Sequence, residues 1–462
     1  MTEEASPSAL AKQMAETSTL QEGGMDDVDD PDISLKAPGF VEVDADADLE
    51  GVTDLNSNAA ADIYKAAETF EELGLSPDLI KGLYQEMKFE RPSKIQAKTL
   101  PVILRHPFPS MIAQSHNGSG KTTCFTLAML SRVDPALEKP QALCVCPTRE
   151  LVIQNLRVLE KMATHTKIRA ISTTETGKMS RDKNTAQVVI GAHGGLKKRV
   201  RYSLLDTEDI RILVFDEADE MLAQDGFGDD SVRLLRDIQR KSKHVQLLLF
   251  SATFEDRVRD FAQKVAPNAV TYFIPAKKLS LDVIKQLRVR CPGDDGKIKF
   301  LKDAFSLAQN LCQTVVFVKY KASAHKLARG LKDDGFSVSN LTGDLEPEQR
   351  DQVVQEFRDG KTKVLIATDV LSRGFDLETI SLVINYHIPT DKRGVHVDFS
   401  KYLHRIGRSG RFGRKGCAFN LYDNDREKEL LDQIERHFNH PIPDMEYDNE
   451  DKLEKVLQDA GI

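Results

Sequence analysis

The sequence predicts an α/β protein with two successive domains, each a mostly parallel sheet flanked by helices. Its 462 residues exceed the size at which a single hydrophobic core stops growing. Short apolar runs alternate with amphipathic helical stretches, which is the pattern of a parallel sheet wrapped by helices. The alternation stops after Phe273 and starts again near Thr314, so we expect one domain on either side of this break.

Apolar runs in the first domain mark five predicted strands. They extend over Ser110 to Ser115, Ala142 to Cys146, Gln187 to Gly191, Ile210 to Phe215 and Val245 to Phe250. Apolar residues at helical spacing lie between the runs, for example from Arg149 to Met162. We therefore place the first domain at residues 67–275.

The second domain repeats this pattern after a short linker. Its predicted strands are Thr314 to Val318, Ser337 to Leu341, Val364 to Ala367, Leu382 to Asn385 and Cys417 to Leu421. Residues 274–278 read Ile-Pro-Ala-Lys-Lys, and we interpret them as the start of the connection. We place the linker at residues 276–284 and the second domain at residues 285–462.

The N-terminal segment differs from the rest of the chain in charge. Residues 1–64 contain 16 Asp and Glu against two Lys and Arg, a net charge of −14, so the other 398 residues carry +6 of a total of −8. Such a segment buries too little apolar surface to offset its ordering entropy. We predict a largely disordered acidic extension over residues 1–66. The sequence within it is compatible with a short helix from Ser8 to Leu20.

Composition also limits the class of protein. We find no run near the roughly 18 apolar residues that span a bilayer, and no basic segment followed by an apolar one at the N-terminus. The expectation is a cytosolic or nuclear protein without membrane insertion. Cys144 and Cys146 lie in an apolar run without a second Cys/His pair at zinc spacing, so we predict core thiols.

A glycine-rich loop is the strongest local signal for chemistry. Residues 115–122 read Ser-His-Asn-Gly-Ser-Gly-Lys-Thr, after a predicted strand and at the start of a helix, as a phosphate-binding loop requires. Lys121 supplies a charge to the β and γ oxygens, and the Thr122 hydroxyl can ligate Mg²⁺. The other residues predicted to bind nucleotide in this loop are Ser115, Gly118, Ser119 and Gly120.

Two further motifs follow later predicted strands. Residues 216–219 read Asp-Glu-Ala-Asp at the carboxyl end of an apolar run, where α/β proteins bind ligands. We predict that Asp216 holds Mg²⁺ and that Glu217 orients the attacking water and accepts its proton. Ser251 and Thr253 follow the next run, and their hydroxyls are expected to hydrogen-bond Asp219.

In this order the motifs resemble those of the DEAD-box RNA helicases, over residues 68–462. Residues 89–96, Phe-Glu-Arg-Pro-Ser-Lys-Ile-Gln, resemble the motif in which the glutamine (Gln96) reads adenine and the upstream aromatic ring (Phe89) stacks on it. Residues 147–151, Pro-Thr-Arg-Glu-Leu, resemble the first RNA-contacting motif, which implies RNA contacts from Pro147, Thr148 and Arg149.

The second domain carries the rest of the resemblance. Residues 367–376 are similar to the motif that touches RNA through Thr368 and Arg373 and the ATP ribose through Asp376. Residues 404–411 resemble the arginine motif, in which His404 couples the domains. Arg408 and Arg411 lie three residues apart, so we expect them on one helical face as arginine fingers.

The resemblance implies two RecA-like domains that close around ATP, Mg²⁺ and single-stranded RNA. Further RNA contacts are expected from Gly194, Gly195, Thr342 and Gly343. Residues 69–73, 92–96, 389–402 and the tail after Phe438 are similar to the branch that exports mRNA at the cytoplasmic face of the nuclear pore. This likeness implies an mRNP substrate, nucleoporin and export-activator partners, and a monomer in cytoplasm and nucleus.

Other interpretations remain open at the level of sequence. They are an RNA-binding scaffold with impaired ATPase, a general RNA helicase of translation or ribosome assembly, and a DNA translocase on the same two domains. His116-Asn117 and Ala192-His193-Gly194 depart from the family pattern in the phosphate loop and in the RNA-binding segment. The acidic extension either competes with RNA for the cleft or only aids solubility.

Overall fold

The computed structural model describes most of the chain from Ala66 onward. It covers residues 66–115, 118–173, 185–222, 226–254, 256–273, 284–308, 312–369, 380–391, 393–409 and 415–462, and the strand backbone at 41–44. None of the helices in these ranges is long and apolar enough to cross a bilayer. The predicted helix from Ser8 to Leu20 lies outside the described residues.

The first sheet has eight parallel strands in the order β1-β8-β2-β7-β6-β3-β5-β4. Its central strands consist of apolar residues that are buried on both faces, as a sheet covered by helices on both sides requires. The strands are β1 Val41–Asp44, β2 Met111–Gln114, β3 Ala142–Cys146, β4 Ala170–Ser172, β5 Val188–Ala192, β6 Ile212–Phe215, β7 Gln246–Ser251 and β8 Val270–Phe273.

Helices of the first half alternate with these strands along the chain. A 3₁₀ turn at Glu71–Leu73 and a π-helical turn at Gly82–Glu86 flank the first of them. The helices are α1 Pro77–Lys81, α2 Lys94–Leu104, α3 Lys121–Arg132, α4 Arg149–Ala163, α5 His193–Arg201, α6 Ala218–Leu222, α7 Phe227–Gln239 and α8 Asp256–Val265.

The second sheet has seven parallel strands in the order β11-β12-β10-β13-β14-β9-β15. Its strands are β9 Ile284–Arg290, β10 Gln313–Phe317, β11 Val338–Leu341, β12 Val364–Ala367, β13 Ile380–Asn385, β14 Gly416–Tyr422 and β15 Asp444–Glu446. The surrounding helices are α9 Gly293–Ala308, α10 Lys321–Asp333, α11 Pro347–Arg358, α12 Phe399–Ile406, α13 Asp425–Phe438 and α14 Glu450–Asp459.

The predicted α/β class with two parallel sheets is confirmed, and every predicted strand lies within two residues of an observed one. The exceptions are strands that the sequence did not indicate: β1, β4, β8, β9 and β15. Strand β9 begins at Ile284, the last residue assigned to the linker. Strand β1 lies within the predicted acidic extension and pairs in parallel with β8; apart from β1 and Ala66, that extension lies outside the described residues.

Each sheet is covered by helices on both faces and has a hydrophobic cluster on each face. In the first half, β3 alternates between the two clusters, with Cys144 and Cys146 on one side and Leu143 and Val145 on the other. All six cysteines are buried and unpaired, as predicted for core thiols. Full burial raises the pKa of the Cys124 thiol to about 12, so this thiol stays protonated and inert.

Candidate active site

Three neighbouring strands of the first sheet end at the same edge and place the predicted motifs side by side. Gln114 at the end of β2 pairs with Ser251 at the end of β7, and the Ser115 N–H donates to the Ser251 carbonyl at 3.1 Å. The Asp216 N–H, just after β6, donates to the Val145 carbonyl at 3.0 Å. Parallel strands therefore gather the phosphate loop, the acidic motif and the Ser-Ala-Thr segment at one ligand-binding edge.

Helix α2 is joined to the phosphate loop by two side chains. The Ser93 hydroxyl donates to the Ser119 carbonyl at 2.7 Å, and the Gln96 Nε2 donates to the Gly120 carbonyl at 3.3 Å. Gln96 Oε1 also accepts from the Ser93 N–H at 2.9 Å. All three bonds lie within the first half, so they hold the phosphate loop in place without any contribution from the second half.

Gly120 is a position where glycine is required. Its φ of +102° lies in the left-handed region, and a Cβ there would overlap the Gln96 amide and the Ser93 hydroxyl. Gly118 also has a positive φ, of +79°. The loop can therefore present its backbone N–H groups and the uncapped N-terminus of α3 to an anion.

Gln96 and Phe89 are the two residues predicted to recognise adenine. Gln96 is 4% exposed, and among the described residues the bonds above leave its amide one N–H and one oxygen lone pair, which would match the N7 acceptor and N6 donor of adenine. Phe89 is half-buried and stacks on the buried Phe70, with ring centroids 6.4 Å apart. His116 and Asn117, the unusual residues of the loop, lie outside the described residues.

Lys121 of the phosphate loop faces Glu217 of the acidic motif. Lys121 is 6% exposed, and its Nζ donates to the Ser115 carbonyl at 2.6 Å and lies 3.9 Å from Glu217 Oε1. Glu217 has a φ of +51°, a conformation that side-chain-bearing residues seldom adopt. Such strain is concentrated at functional sites, and here it turns the carboxylate toward the phosphate loop.

Asp216 is held by a residue that the sequence analysis missed. Asn155 is fully buried in α4, and its Nδ2 donates to Asp216 Oδ2 at 2.8 Å. The signal was available, because Asn155 is the polar interruption in the buried stripe of α4 that includes Leu151 and Leu159. A buried asparagine among apolar residues is retained where its amide has a specific acceptor.

The acidic pair fits a divalent cation. Burial and the neighbouring charge of Glu217 raise the pKa of Asp216 to about 7, so a positive ion beside it would favour the ionised form. Glu217 Oε2 is buried and has no hydrogen-bond partner among the described residues. Oxygen ligands of this kind suit Mg²⁺.

Asp219 is the centre of a hydrogen-bond network. Its Oδ2 accepts from the Thr253 N–H at 3.1 Å and from the Thr253 hydroxyl at 2.7 Å, the bond that the sequence predicts. The Ser251 hydroxyl also hydrogen-bonds Asp219, but through the backbone: it accepts from the Asp219 N–H at 3.3 Å and donates to the Thr253 carbonyl at 2.7 Å.

Helix α12 brings the second half to the same carboxylate. His404 Nε2 lies 3.3 Å from Asp219 Oδ2, and the Ser400 hydroxyl donates to that oxygen at 3.3 Å. Burial opposes ionisation of Asp219, but the hydrogen bonds from His404 and Thr253 and the charge of Lys121 outweigh it and hold its pKa far below the usual range. The Asp219 carboxylate is therefore charged, and its Oδ2 receives hydrogen bonds from both halves, whereas its buried Oδ1 has no hydrogen-bond partner among the described residues.

The placement of the arginine motif corrects one prediction. Helix α12 ends at Ile406 with Gly407 as its cap, so Arg408 lies after the helix. The prediction that Arg408 lies on a helical face shared with Arg411 was therefore wrong for Arg408. Arg408 is 4% exposed, and its Nε donates to the His404 carbonyl at 3.1 Å. Arg411, Arg373 and Asp376 lie outside the described residues.

Arg405, which sequence reasoning did not single out, anchors α12. It is fully buried, and its guanidinium donates to Asp369 Oδ1 at 2.6 Å, to Asn385 Oδ1 at 3.1 Å and to the His387 carbonyl at 2.8 Å. These bonds tie the helix to the ends of β12 and β13. The positions of His404 and Arg408 are thus fixed to the second sheet.

The predicted RNA contacts of the first half lie on helix N-termini. Thr148 caps α4 by accepting from the Leu151 N–H at 3.3 Å, which leaves its hydroxyl proton available. Arg149 makes an ion pair with Asp351 of α11 at 3.2 Å, a contact between the halves that the sequence did not predict. Gly194 is exposed in the first turn of α5, where the cap residue Ala192 makes no side-chain hydrogen bond.

His193 has a structural reason for its departure from the family pattern. Its ring is 5% exposed and packs on Phe227 with centroids 3.8 Å apart, so it faces the core of the first half, whereas the neighbouring Gly194 is exposed. Burial lowers the pKa of His193, with partial compensation from Asp230. A neutral, packed imidazole is the result.

On the second half, the predicted RNA contacts follow β11 and β12. Thr342 and Gly343 come directly after β11, and Thr368 follows β12 with its N–H donating to the Leu341 carbonyl at 3.2 Å. Arg350 donates to the Gly343 carbonyl at 3.1 Å and to the Leu345 carbonyl at 3.0 Å, which fixes this turn. Thr342 and Thr368 are therefore neighbours on adjacent strand ends.

Comparison with known proteins identifies the family. Residues 93–261 match the family described as DEAD/DEAH box helicase, and residues 296–413 match the helicase conserved C-terminal domain. DEAD-box ATP-dependent RNA helicase 38 of Arabidopsis thaliana is 45% identical over 435 residues, which are 92% of this chain and 87% of the relative. The chain belongs to the DEAD-box ATP-dependent RNA helicases. The helicase is also 40% identical over 413 residues to ATP-dependent RNA helicase DBP5 of Saccharomyces cerevisiae, with 88% of this chain and 84% of DBP5 covered.

Solved structures agree with this assignment. S. cerevisiae Dbp5 bound to RNA and ADP BeF3 superposes with a TM-score of 0.81 at 41% identity, over 85% of this chain and all of that one. A Dbp5 variant bound to Nup159, a Gle1 variant, IP6 and ADP gives a TM-score of 0.62 at 38% identity, over 84% of this chain and 99% of that one. The helicase therefore has the tandem RecA-like fold, and ATP is its nucleotide.

Proposed function

We propose that the helicase is an RNA-dependent ATPase that clamps single-stranded RNA and remodels mRNPs during mRNA export. The observation that supports a clamp is the contact of α12 with Asp219, in which His404 of the second half bonds the acidic motif of the first. A ligand that contacts both halves favours this closed arrangement. ATP and RNA should therefore promote each other's binding.

ATP binding is assigned mainly to the first half. Gln96 reads the adenine edge, Phe89 stacks on the ring, and Lys121 contacts the β and γ phosphates. The remaining nucleotide contacts in this proposal are Ser115, Gly118, Ser119, Gly120 and Thr122 in the loop and Asp376 from the second half. The bonds from Ser93 and Gln96 to the loop support a preformed nucleotide site.

The hydrolytic step is assigned to residues from both halves. Glu217 orients the attacking water and accepts its proton, while Asp216 and Thr122 hold Mg²⁺ with Asn155 fixing Asp216. When bound, Mg²⁺ neutralises charge on the β and γ phosphates. Arg408 and Arg411 approach the γ-phosphate only on closure and stabilise transition-state charge.

RNA binding is proposed on the helix N-termini and turns of both halves. Small residues and hydroxyls at these positions suit phosphates and 2′-hydroxyls better than base edges, so base specificity should be slight. The proposed contacts are Pro147, Thr148, Arg149, Gly194, Gly195, Thr342, Gly343, Thr368 and Arg373. The uncapped N-terminus of α5 at Gly194 supports the assignment, since its free N–H groups favour an anion.

The relatives support a proposed cellular role in mRNA export. Because solved Dbp5 complexes contain Nup159 and Gle1 with IP6, we assign the helicase a nucleoporin and an export activator as partners, at the cytoplasmic face of the nuclear pore. We expect a monomer that moves between nucleus and cytoplasm. Loss of the helicase should cause polyadenylated RNA to accumulate in the nucleus, and an unchanged distribution of that RNA would argue for a general helicase elsewhere.

ATP turnover against a panel of nucleic acids tests the biochemical proposal. The rate should rise with single-stranded RNA and stay near its basal value with single-stranded DNA, because the proposed contacts include 2′-hydroxyls. Equal stimulation by DNA would favour a DNA translocase. RNA binding without any stimulated turnover would favour a scaffold with an impaired ATP site.

A further inference from the structure

Ser400 is a second point at which the two halves meet at the acidic motif. It is the second residue of α12, and its hydroxyl lies 3.3 Å from Asp219 Oδ2 and 3.5 Å from the Thr253 hydroxyl. Neither the nucleotide motifs nor the RNA motifs include this position. The side chain is half-buried between the halves, so its surroundings depend on their contact.

The oxygen that Ser400 reaches is a charged and deeply buried acceptor. Asp219 is 7% exposed, and its Oδ2 already receives two bonds from Thr253 within the first half. The only donors to this oxygen from the second half, among the described residues, are His404 and Ser400. Hydrogen bonds to a charged acceptor at low dielectric are stronger than neutral ones, so each donor favours closure.

Helix geometry explains why the two donors act together. Ser400 and His404 are four residues apart, which places them on one face of α12. Asp398 caps the helix by accepting from the Lys401 N–H at 2.9 Å, and Arg405 fixes its other end to β12 and β13. The helix therefore presents both donors as a rigid pair.

The surroundings select a short neutral donor at this position. A cavity of about 280 Å³ adjoins the contact and is lined by Asp219, Arg257, Asp391, His396, Asp398 and Ser400 among others. Three of these residues are aspartates. A carboxylate in place of the Ser400 hydroxyl would face Asp219 directly, and like charges at that distance disfavour contact of the halves.

We propose that Ser400 is a positioning residue for ATP hydrolysis, which closes the second half onto the acidic motif by donating its hydroxyl proton to Asp219. Ser400 acts through Asp219 and Thr253 and does not itself contact ATP or RNA. The proposal rests on the RNA-dependent ATPase function above. A hydroxyl that only hydrogen-bonds within the first turn of its helix would not affect the response to RNA. A hydroxyl that holds the two halves together would affect it, because RNA contacts both halves.

The experiment uses the full chain with Ser400→Ala, Ser400→Thr and Ser400→Asp, and Ser323→Ala in the first turn of α10 as a matched control. Ser400→Ala should lower RNA-stimulated kcat roughly threefold to tenfold, from the loss of one hydrogen bond, while KM for ATP without RNA stays unchanged. Ser400→Thr should restore the rate. Ser400→Asp should reduce it further and weaken RNA binding in the presence of a non-hydrolysable ATP analogue.

A second measurement distinguishes a loss of coupling between ATP and RNA from a loss of folding. The factor by which the ATP analogue tightens RNA binding should fall in Ser400→Ala and remain normal in Ser323→Ala, with equal melting temperatures for both. If wild type shows RNA-stimulated turnover and Ser400→Ala and Ser400→Asp match it in rate and coupling, the positioning role is wrong. If wild type and Ser323→Ala show no RNA stimulation, the proposed function itself fails, and the role of Ser400 with it.

Discussion

The two halves of the helicase share a fold but differ in how complete their sites are. In the first half, Ser93, Gln96 and Asn155 already hold the phosphate loop and Asp216 in place through bonds within that half. In the second half, α12 presents His404 and Ser400 toward an acceptor, Asp219, that this half does not itself contain. Under the proposed function, nucleotide recognition therefore depends mainly on the first half, whereas turnover requires contact between the halves.

Arg408→Ala should have the largest effect on turnover without weakening nucleotide binding. Because Arg408 is assigned to the transition state alone, RNA-stimulated kcat should fall by roughly 10³-fold or more, while ATP affinity without RNA stays near wild type. Stopped-flow or steady-state turnover together with equilibrium ATP binding measures both quantities. The exposed Arg240→Ala is the matched control. Weak ATP binding with a normal rate would refute the finger assignment.

Glu217→Gln tests the catalytic group of the first half. The substitution keeps the shape but removes the proton acceptor, so turnover should fall by about 10²-fold to 10⁴-fold with ATP and RNA binding nearly intact. Glu160→Gln on the exposed side of α4 serves as the control. Near-normal hydrolysis by Glu217→Gln would remove the proposed base.

Gln96→Ala should affect the first half alone. Loss of the amide leaves the Gly120 carbonyl and the Ser93 N–H without their partner, and removes the adenine contact. The affinity for ATP should fall by about tenfold, and the preference for ATP over GTP should decrease, while kcat at saturating ATP changes little. Nucleotide titrations with both triphosphates measure this. An unchanged preference would show that Gln96 only supports the loop.

The sequence predicted the site better on the first half than on the second. Strand ends, the phosphate loop and the acidic motif are local patterns, so Lys121, Asp216 and Asp219 could be placed from their neighbours in the chain. Asn155 and Ser400 were not predicted because their partners, Asp216 and Asp219, are distant in sequence and are brought close only by the fold. Of the five strands that the sequence did not indicate, β8, β9 and β15 were missed because they are not marked by a long continuous apolar run.

Deletion of residues 1–64 should give the smallest effect. The extension carries −14 against +6 on the rest of the chain, so a version without it should bind RNA more tightly at low salt. Exposed charges are screened beyond about 8 Å at physiological ionic strength, so the difference should narrow as salt rises. A difference that persists at high salt would indicate a docked segment, and identical affinities would leave the extension without an inhibitory role.

The coupling between ATP and RNA tests the central claim most directly. RNA affinity is measured with and without a non-hydrolysable ATP analogue, and analogue affinity with and without RNA, for wild type and for His404→Ala. Linkage requires both factors to be equal, and we expect roughly 5-fold to 150-fold in wild type. His404→Ala should lose most of this factor while binding the analogue alone as wild type does. Equal RNA affinity with and without the analogue in wild type would contradict the account.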